Sequence, residues 1–121
     1  MHALLIAAHG SRRPQSNAEV IALAQQVAHT AAGRYGHISA AFLELASPSI
    51  EEGIRHCAAA GAAKITIVPY LLAAGRHVAE DIPEILQKME QEFPDITLHL
   101  APHIGASSQM SAVILASAEA S

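Results

Sequence analysis

Short apolar runs alternate along the chain with segments in which apolar residues recur every three or four positions. The runs cover residues 3–8, 38–43, 64–69 and 96–100, and a segment with helical spacing follows each of them. Because parallel strands need a crossover connection, this alternation predicts a parallel sheet with helices on both faces. We therefore expect an α/β fold of three layers around a four-stranded, mainly parallel sheet.

Capping residues mark the ends of the first two helices. The first helix is expected to begin between Pro14 and Ser16 and to run to about Ala32, and Ser16 and Glu19 have the spacing of a capping box. Ser47 is a suitable N-cap for the second helix, with Pro48 at its first position. Gly61 is placed to end that helix in the left-handed conformation.

The third helix has the clearest amphipathic pattern in the chain, with one apolar stripe that should lie on the sheet. The stripe consists of Ile82, Ile85, Leu86, Met89 and Phe93. The Ala- and Ser-rich tail from Ala106 predicts either a fourth helix or a frayed end. Since the sequence contains no linker or internal repeat, we expect residues 1–121 to form a single domain.

Composition narrows the class of protein. The net charge is -4, with 7 basic and 11 acidic residues, and aromatic residues make up 3% of the chain, so we expect no nucleic-acid partner. Cys57 is the single cysteine, which excludes an internal disulfide and favours a reducing compartment. The apolar runs are shorter than the roughly 20 residues of a membrane helix, and no secretory pattern is present. These features predict a cytoplasmic protein without a membrane partner.

Three residues with metal-binding side chains fall at one edge of the predicted sheet. His9 follows the first strand, Glu44 the second and His77 the third, and ligands collect at the carboxyl ends of strands in such folds. Taken singly, His9 is as readily a structural histidine as a functional one, and Glu44 is more often a cap or an ion-pair partner. Together, two imidazoles and one carboxylate suit divalent cobalt, iron, nickel or zinc. His103, beyond the fourth strand, shares this edge and is a further candidate.

Basic residues flank the two candidate histidines in a chain that is otherwise acidic. Arg12 and Arg13 follow His9, and Arg76 precedes His77. Their guanidinium groups predict a rim that receives carboxylates, and the alternative is that they only solvate loops. The sequence contains neither Gly-x-Gly-x-x-Gly nor a Walker sequence, which argues against nucleotide binding.

Several motifs together resemble one known family. Residues 4–12, LLIAAHGSR, are similar to the opening of the sirohydrochlorin chelatases of the CbiX type. Residues 69–78, PYLLAAGRHV, and the Asp-Ile-Pro at 81–83 resemble that family's Pro-aromatic-Leu-x-x-Gly-x-His segment and the turn after it. Phe-Leu-Glu at 42–44 and Pro-Ser-Ile at 48–50 match a further block. In length and motif order the chain resembles the short form of these class II chelatases.

The resemblance implies an enzyme, a lyase that inserts a divalent metal ion into sirohydrochlorin during cobalamin or siroheme biosynthesis. Co²⁺ is the first expectation for the metal, with Fe²⁺ or Ni²⁺ as alternatives, and the metal is a substrate with no organic cofactor. His9 and His77 would hold the metal and help to remove pyrrole protons, with Glu44 as third participant. The residues expected to bind the tetrapyrrole are Ser11, Arg12, Arg13, Tyr70, Leu71 and Arg76. The short form also implies a homodimer that reproduces a two-lobed chelatase.

Two other functions compete with this reading. A carrier that binds metal or tetrapyrrole without turnover would use the same imidazoles. A histidine phosphatase also places His-Gly at the tip of a strand, but it needs arginine before that histidine, where this chain has Ala8. The carrier therefore remains the main alternative.

Overall fold

The four apolar runs form the strands of a single parallel sheet in a computed structural model of the chain. The structure describes residues 1–120, and within them all side chains except those of His77 and Val78. The strands are β1 (His2–Ala8), β2 (His37–Phe42), β3 (Lys64–Pro69) and β4 (Thr97–Leu100). The helices are α1 (Pro14–Ala31), α2 (Ile50–Ala59), α3 (Ile82–Glu92) and α4 (Met110–Glu119), with a π-helical turn at His77–Asp81 and a 3-10 turn at Ile104–Ala106.

The strand order places the ends of three strands around one crevice. The order is β2-β1-β3-β4, and every pair is parallel. The chain first moves outward from β1 to β2 and then returns to β3 on the other side of β1. Ligands bind at such a reversal, outside the carboxyl ends of the strands. Here those ends are Ala8, Phe42 and Pro69.

Helices cover both faces of the sheet, which confirms the three-layer α/β fold. On one face α2 and α3 pack over a core in which Leu5, Ile54 and Met89 are fully buried. Cys57 lies in the same core as a free thiol. On the other face α1 packs over Ile6 and encloses a smaller core. The layers are therefore unequal, because one helix covers a face that two helices cover on the opposite side.

The first helix begins at Pro14, within the predicted range, but it lacks the predicted capping box. Pro14 occupies its first turn and Arg13 is the N-cap, without a capping side chain, so the Ser16–Glu19 box was wrong. Proline fixes φ near its helical value and lacks an N–H to satisfy, which makes the first turn its natural place. At the other end, Ala32 adopts the left-handed conformation and terminates the helix.

The second helix begins later than predicted. Its N-cap is Ser49, which forms a reciprocal capping box with Glu52, so Ser47 and Pro48 lie outside the helix. The carbonyl of Pro48 accepts a hydrogen bond from the N–H of Phe42, which holds this segment extended beside the end of β2. The prediction for Gly61 is confirmed, because its φ is +99° directly after the helix.

The last two helices, α3 and α4, follow β3 and β4 and can be compared with their predictions. The apolar stripe of α3 is confirmed, since Ile82, Leu86 and Met89 are buried while the polar face is exposed. The tail forms α4, a regular helix with no buried residue. Within the described part of the chain, no helix combines the length and apolarity required to cross a membrane.

Candidate metal site

Two of the three predicted metal ligands meet at the carboxyl edge of the sheet. His9 directly follows β1, and Glu44 lies two residues beyond β2. The backbone ladder continues past both strands, because Leu43 N–H donates to the Ala8 carbonyl at 2.9 Å and Glu44 N–H donates to the His9 carbonyl at 3.1 Å. Nε2 of His9 then lies 3.5 Å from Oε1 of Glu44, and the side chains are 45% and 55% exposed. The pair is rigid in its backbone and open to solvent.

This separation suits two ligands of one metal ion. Ligand atoms about 2.1 Å from a metal, at angles between square and tetrahedral, lie roughly 3.0 to 3.4 Å apart. The observed 3.5 Å is close to that range. A small closure of the two side chains would complete a two-ligand site.

The imidazole of His9 also has a defined orientation. Its Nδ1 lies 3.2 Å from the carbonyl oxygen of Gly10, which can only accept a hydrogen bond, so Nδ1 carries the proton. The other ring nitrogen, Nε2, is the one that faces Glu44. A hydrogen bond on the second ring nitrogen is the usual support of a metal-binding histidine.

Gly10 lies where the loops that carry His9 and Glu44 meet. Its φ is +97°, and a β-carbon built there would overlap the carbonyl of Glu44. The glycine therefore lets the loop after β1 come close to the loop after β2.

His77, the third predicted ligand, begins the π-helical turn after β3. Its side chain lies outside the described part of the structure. Among the side chains that are described, no group of three His, Cys, Asp or Glu residues is arranged to hold a metal ion. The described part of the predicted set is thus the pair formed by His9 and Glu44.

A pocket of about 290 Å³ opens beside this pair. It is lined by Ala8, His9, Gly10, Ser11, Ser16, Asn17, Glu19, Val20, Phe42 and Tyr70. Two of the residues predicted to bind the tetrapyrrole, Ser11 and Tyr70, thus line this pocket. Tyr70 is held there by its N–H, which donates to the Ala7 carbonyl at 2.7 Å.

The predicted arginine rim is divided. Arg12 and Arg13 are exposed on the loop after β1. Arg76 is 80% exposed and pairs with Glu80 of its own helical turn at 3.5 Å. None of the three lines the pocket beside His9. As the chain stands, the arginines surround the edge and do not converge on one point.

A second pocket lies on the other side of Tyr70. Its volume is about 700 Å³, and it is lined by His103 and not by His9 or Glu44. Its other walls come from α1, β3 and α4, through apolar residues that include Leu23, Val68 and Val113. Leu71, a predicted substrate contact, is half-buried and accepts a hydrogen bond from Gly105 N–H at 3.1 Å. His103 thus shares the edge, but it belongs to a different and more apolar cavity.

Asn17 is among the pocket residues that the sequence did not indicate. Asn17, in the first turns of α1, lines the pocket and bonds to both backbone groups of Ser11. It is the only asparagine in the chain. An isolated carboxamide six residues after a strand-end Ser was a signal that the motif search passed over.

Solved structures with the same fold belong to one class of proteins. A CbiX protein from Marinobacter aquaeolei, described as a putative cobalamin biosynthesis protein, matches with a TM-score of 0.82 and 28% identity over 98% of this chain and 95% of that one. The sirohydrochlorin chelatase SirB from Bacillus subtilis subspecies spizizenii, in complex with cobalt, matches with a TM-score of 0.86 and 28% identity over 98% of this chain and 50% of that one. The protein has the fold of a chelatase half.

The family follows from the sequence. The CbiX family model matches residues 3–121, and the chain belongs to this family. A sirohydrochlorin ferrochelatase from Priestia megaterium is 33% identical over 91% of this chain and 41% of its own length. A sirohydrochlorin cobaltochelatase from Methanopyrus kandleri is 36% identical over 78% of this chain and 64% of its own length. The chain thus spans less than two thirds of either of these relatives.

Proposed function

We propose that the protein is a sirohydrochlorin chelatase that inserts Co²⁺, Fe²⁺ or Ni²⁺ into the macrocycle. The observation that carries the proposal is the 3.5 Å separation between Nε2 of His9 and Oε1 of Glu44, at the carboxyl edge of the sheet and beside a pocket that His9 lines. Membership of the CbiX family supports the same reaction.

The chemistry needs a site that binds a metal and then releases it. His9 and Glu44 supply two ligands, His77 supplies the third, and water fills the other positions of the ion. Such an open site lets macrocycle nitrogens replace water, whereas a closed cage would retain the metal. A neutral imidazole and a carboxylate can also accept the pyrrole protons that leave as the metal enters.

The macrocycle binds along the same edge. Sirohydrochlorin carries many carboxylates, for which Arg12, Arg13 and Arg76 are available partners at the rim. Tyr70 and Leu71 support the flat face of the ring, and Ser11 offers polar contacts from the loop after β1. Arg76 must leave Glu80 to take part, which a surface ion pair permits at low cost.

A second copy of the chain completes the cleft. The pocket beside His9 measures about 290 Å³, at the lower limit of small-molecule sites and too small to enclose a tetrapyrrole. On α4, Val113, Ile114 and Leu115 are each more than half exposed. A homodimer covers this apolar helix and supplies the opposite wall of the cleft. The cobalt-bound SirB chain, half of which matches this chain, supports a two-lobed arrangement.

The organisation and location of the chain are parts of the same proposal. Residues 1–121 act as one chelatase-like domain, which agrees with a family match that extends over residues 3–121. A cytoplasmic location is supported by the free, buried thiol of Cys57. Cobalt and iron both occur in the names of relatives, and the metal ligands of this chain accept either ion.

The decisive experiment follows the visible absorption of sirohydrochlorin mixed anaerobically with the protein and Co²⁺, Fe²⁺ or Ni²⁺ in separate reactions. We expect the wild type to accelerate metallation and His9→Ala, His77→Ala and Glu44→Gln to lose that acceleration. Exposed His29 on α1 provides the matched control, since His29→Ala should remain active. Binding of metal or macrocycle without acceleration over the spontaneous reaction would refute the enzyme and leave a carrier.

A further inference from the structure

The fourth helix stands apart from the body of the chain. No residue of α4 is buried, and residues 111–120 are all exposed. They include the apolar Val113, Ile114 and Leu115, and residues 110–118 contain no charged side chain. Isolated helices shorter than about 12 residues are marginal in water, because most helical stability in proteins comes from packing of an apolar face. This helix therefore needs a surface to pack on.

A groove beside α1 lacks a cover. It consists of the pocket of about 700 Å³ and a neighbouring pocket of about 460 Å³, which share Leu23 of α1 and Val68 of β3. The second pocket extends along α1 as far as Ala31 and Arg34. We call the two together the α1 groove. It lies on the face of the sheet that α1 covers alone, which leaves Val68 half-buried.

The α1 groove and α4 match in length and in charge. From Leu23 to Ala31 the groove follows α1 for about 12 Å, and the ten residues of α4 span about 15 Å. Among the described residues that line the groove, Arg34 at its far end carries a permanent charge. The charged residue of α4 is Glu119, at its last position. A helix that enters the groove with its carboxyl end first would bring these opposite charges together.

The connection before α4 directs the helix away from the groove of its own chain. The 3-10 turn in this connection is bound to the segment after β3, because Gly105 N–H donates to the Leu71 carbonyl at 3.1 Å. A β-carbon on Gly105 would overlap the carbonyl of Leu72, so the two segments are in close contact. Met110 N–H then bonds to the Ser107 carbonyl at 3.2 Å, which fixes the start of α4. The first turn borders the groove, and the rest of the helix is left for another copy of the chain.

We propose that two copies of the chain exchange α4, so that the helix of each copy fills the α1 groove of the other. The exchange is reciprocal about a two-fold axis, as in an isologous dimer. Glu119 of the partner subunit then lies near Arg34. The inference deepens the homodimer proposed above and rests on it, but it does not depend on metal insertion.

Cysteine cross-linking tests the exchange. Chains with Leu23→Cys and with Val113→Cys are co-expressed with different affinity tags, purified through both tags and mildly oxidised, while Cys57 stays buried. We expect a covalent dimer from this pair. Gln25→Cys combined with Val113→Cys is the control and should give none, because Gln25 lies about 160° around α1 from Leu23.

Two cross-linking results would overturn the exchange. A covalent dimer from Val113→Cys alone would mean that two α4 helices pack on each other. A disulfide within a single chain that carries both Leu23→Cys and Val113→Cys would mean that α4 fills its own groove.

Charge reversal tests the direction in which the helix enters. Arg34→Glu and Glu119→Arg should each raise the dimer dissociation constant several-fold in a dilution series followed by light scattering, and the two together should restore it. Absence of this rescue would overturn the assigned direction.

The same measurements separate this inference from the proposed function. A monomeric wild type would refute the homodimer and the exchange together. A dimeric wild type without the cross-link between positions 23 and 113 would refute the exchange alone. Metallation of sirohydrochlorin decides the chelatase activity in either case.

Discussion

The α-carbon of Gly10 lies so close to the carbonyl of Glu44 that a β-carbon at position 10 would overlap that oxygen. This approach brings the loops that carry His9 and Glu44 together. Gly10→Ala should therefore separate the two loops as well as strain the backbone at a φ of +97°. We expect a larger loss of unfolding free energy than the left-handed conformation alone explains.

The matched control for this loss is Gly61→Ala. Gly61 has a φ of +99°, and nothing lies within 4 Å of a β-carbon built on it. Its substitution should cost only the left-handed penalty, about 1 to 2 kcal/mol. Chemical denaturation of both variants measures the difference. Equal losses would mean that the loops relax freely and that Gly10 has no special role.

The cap of α2 gives a test of the corrected helix start. Ser49→Ala removes the side-chain acceptor for Glu52 N–H, which should lower the unfolding free energy by about 1 kcal/mol. Ser47→Ala, at the cap position that the sequence suggested, should have little effect because Ser47 is exposed and outside the helix. Thermal melts followed by circular dichroism distinguish the two. A larger effect at Ser47 would contradict the observed start.

The same cap has a pH dependence. The hydrogen bond from Ser49 N–H, followed by the contact with its hydroxyl, lowers the pKa of Glu52. The stabilisation is therefore present above the pKa of an unfolded glutamate and is lost as the pH falls through the folded pKa. The difference in stability between the wild type and Glu52→Gln should shrink on acidification over that range. A constant difference would show that ionised Glu52 contributes nothing.

The lowered pKa of His2 predicts a second effect of pH on stability. Here folding disfavours the charged form of the side chain, whereas at Glu52 it favours the charged form. Burial, followed by the nearby charges of Lys64 and His99, lowers the pKa of His2 below its usual 6.5, and its Nε2 lies 2.7 Å from Thr66 Oγ1. The unfolded chain thus binds more protons than the folded one, so stability falls as the pH drops through the unfolded value. We expect His2→Gln to show a shallower decrease between about pH 8 and pH 5. Exposed His29→Gln is the control, and an unchanged slope in His2→Gln would contradict the assignment.

The apolar surface of α4 predicts the interface of the proposed homodimer. Val113 is 54% exposed and lines the apolar pocket with Met110. A charge there should convert a dimer to a monomer, as measured by light scattering on Val113→Glu. Ser111→Glu places the same charge on the opposite side of the helix, about 160° away, and should remain dimeric. A monomeric wild type would refute the dimer.

The sequence was sufficient to predict the strands and helix faces whose pattern depends on burial. The four strands and the stripe of α3 follow from apolar period alone, and Lys64–Pro69 was predicted with its observed bounds. The start of the second helix was misplaced, because Ser47 and Pro48 also fit a cap and a first helical position. The sequence signal for the observed cap is Glu52, three residues after Ser49.

The sequence predicts which residues form the candidate site, but not the contacts that hold them in place. Parallel topology alone places His9 and Glu44 at one edge. It cannot show that Asn17 holds the loop after β1, because that contact depends on the turn that connects β1 to α1. Nor can a sequence reveal that Arg76 pairs with Glu80, since the choice between a substrate and a neighbouring acid depends on geometry.

Because the strand ladder continues past Phe42, two backbone amides report the opening of the site. The N–H groups of Leu43 and Glu44 are tied to the carbonyls of Ala8 and His9, so their exchange with deuterium requires the two loops to part. Exchange rates report such local openings in terms of their free energies. The free energy of separating the loops that carry the candidate ligands can therefore be measured at two amides in the metal-free protein.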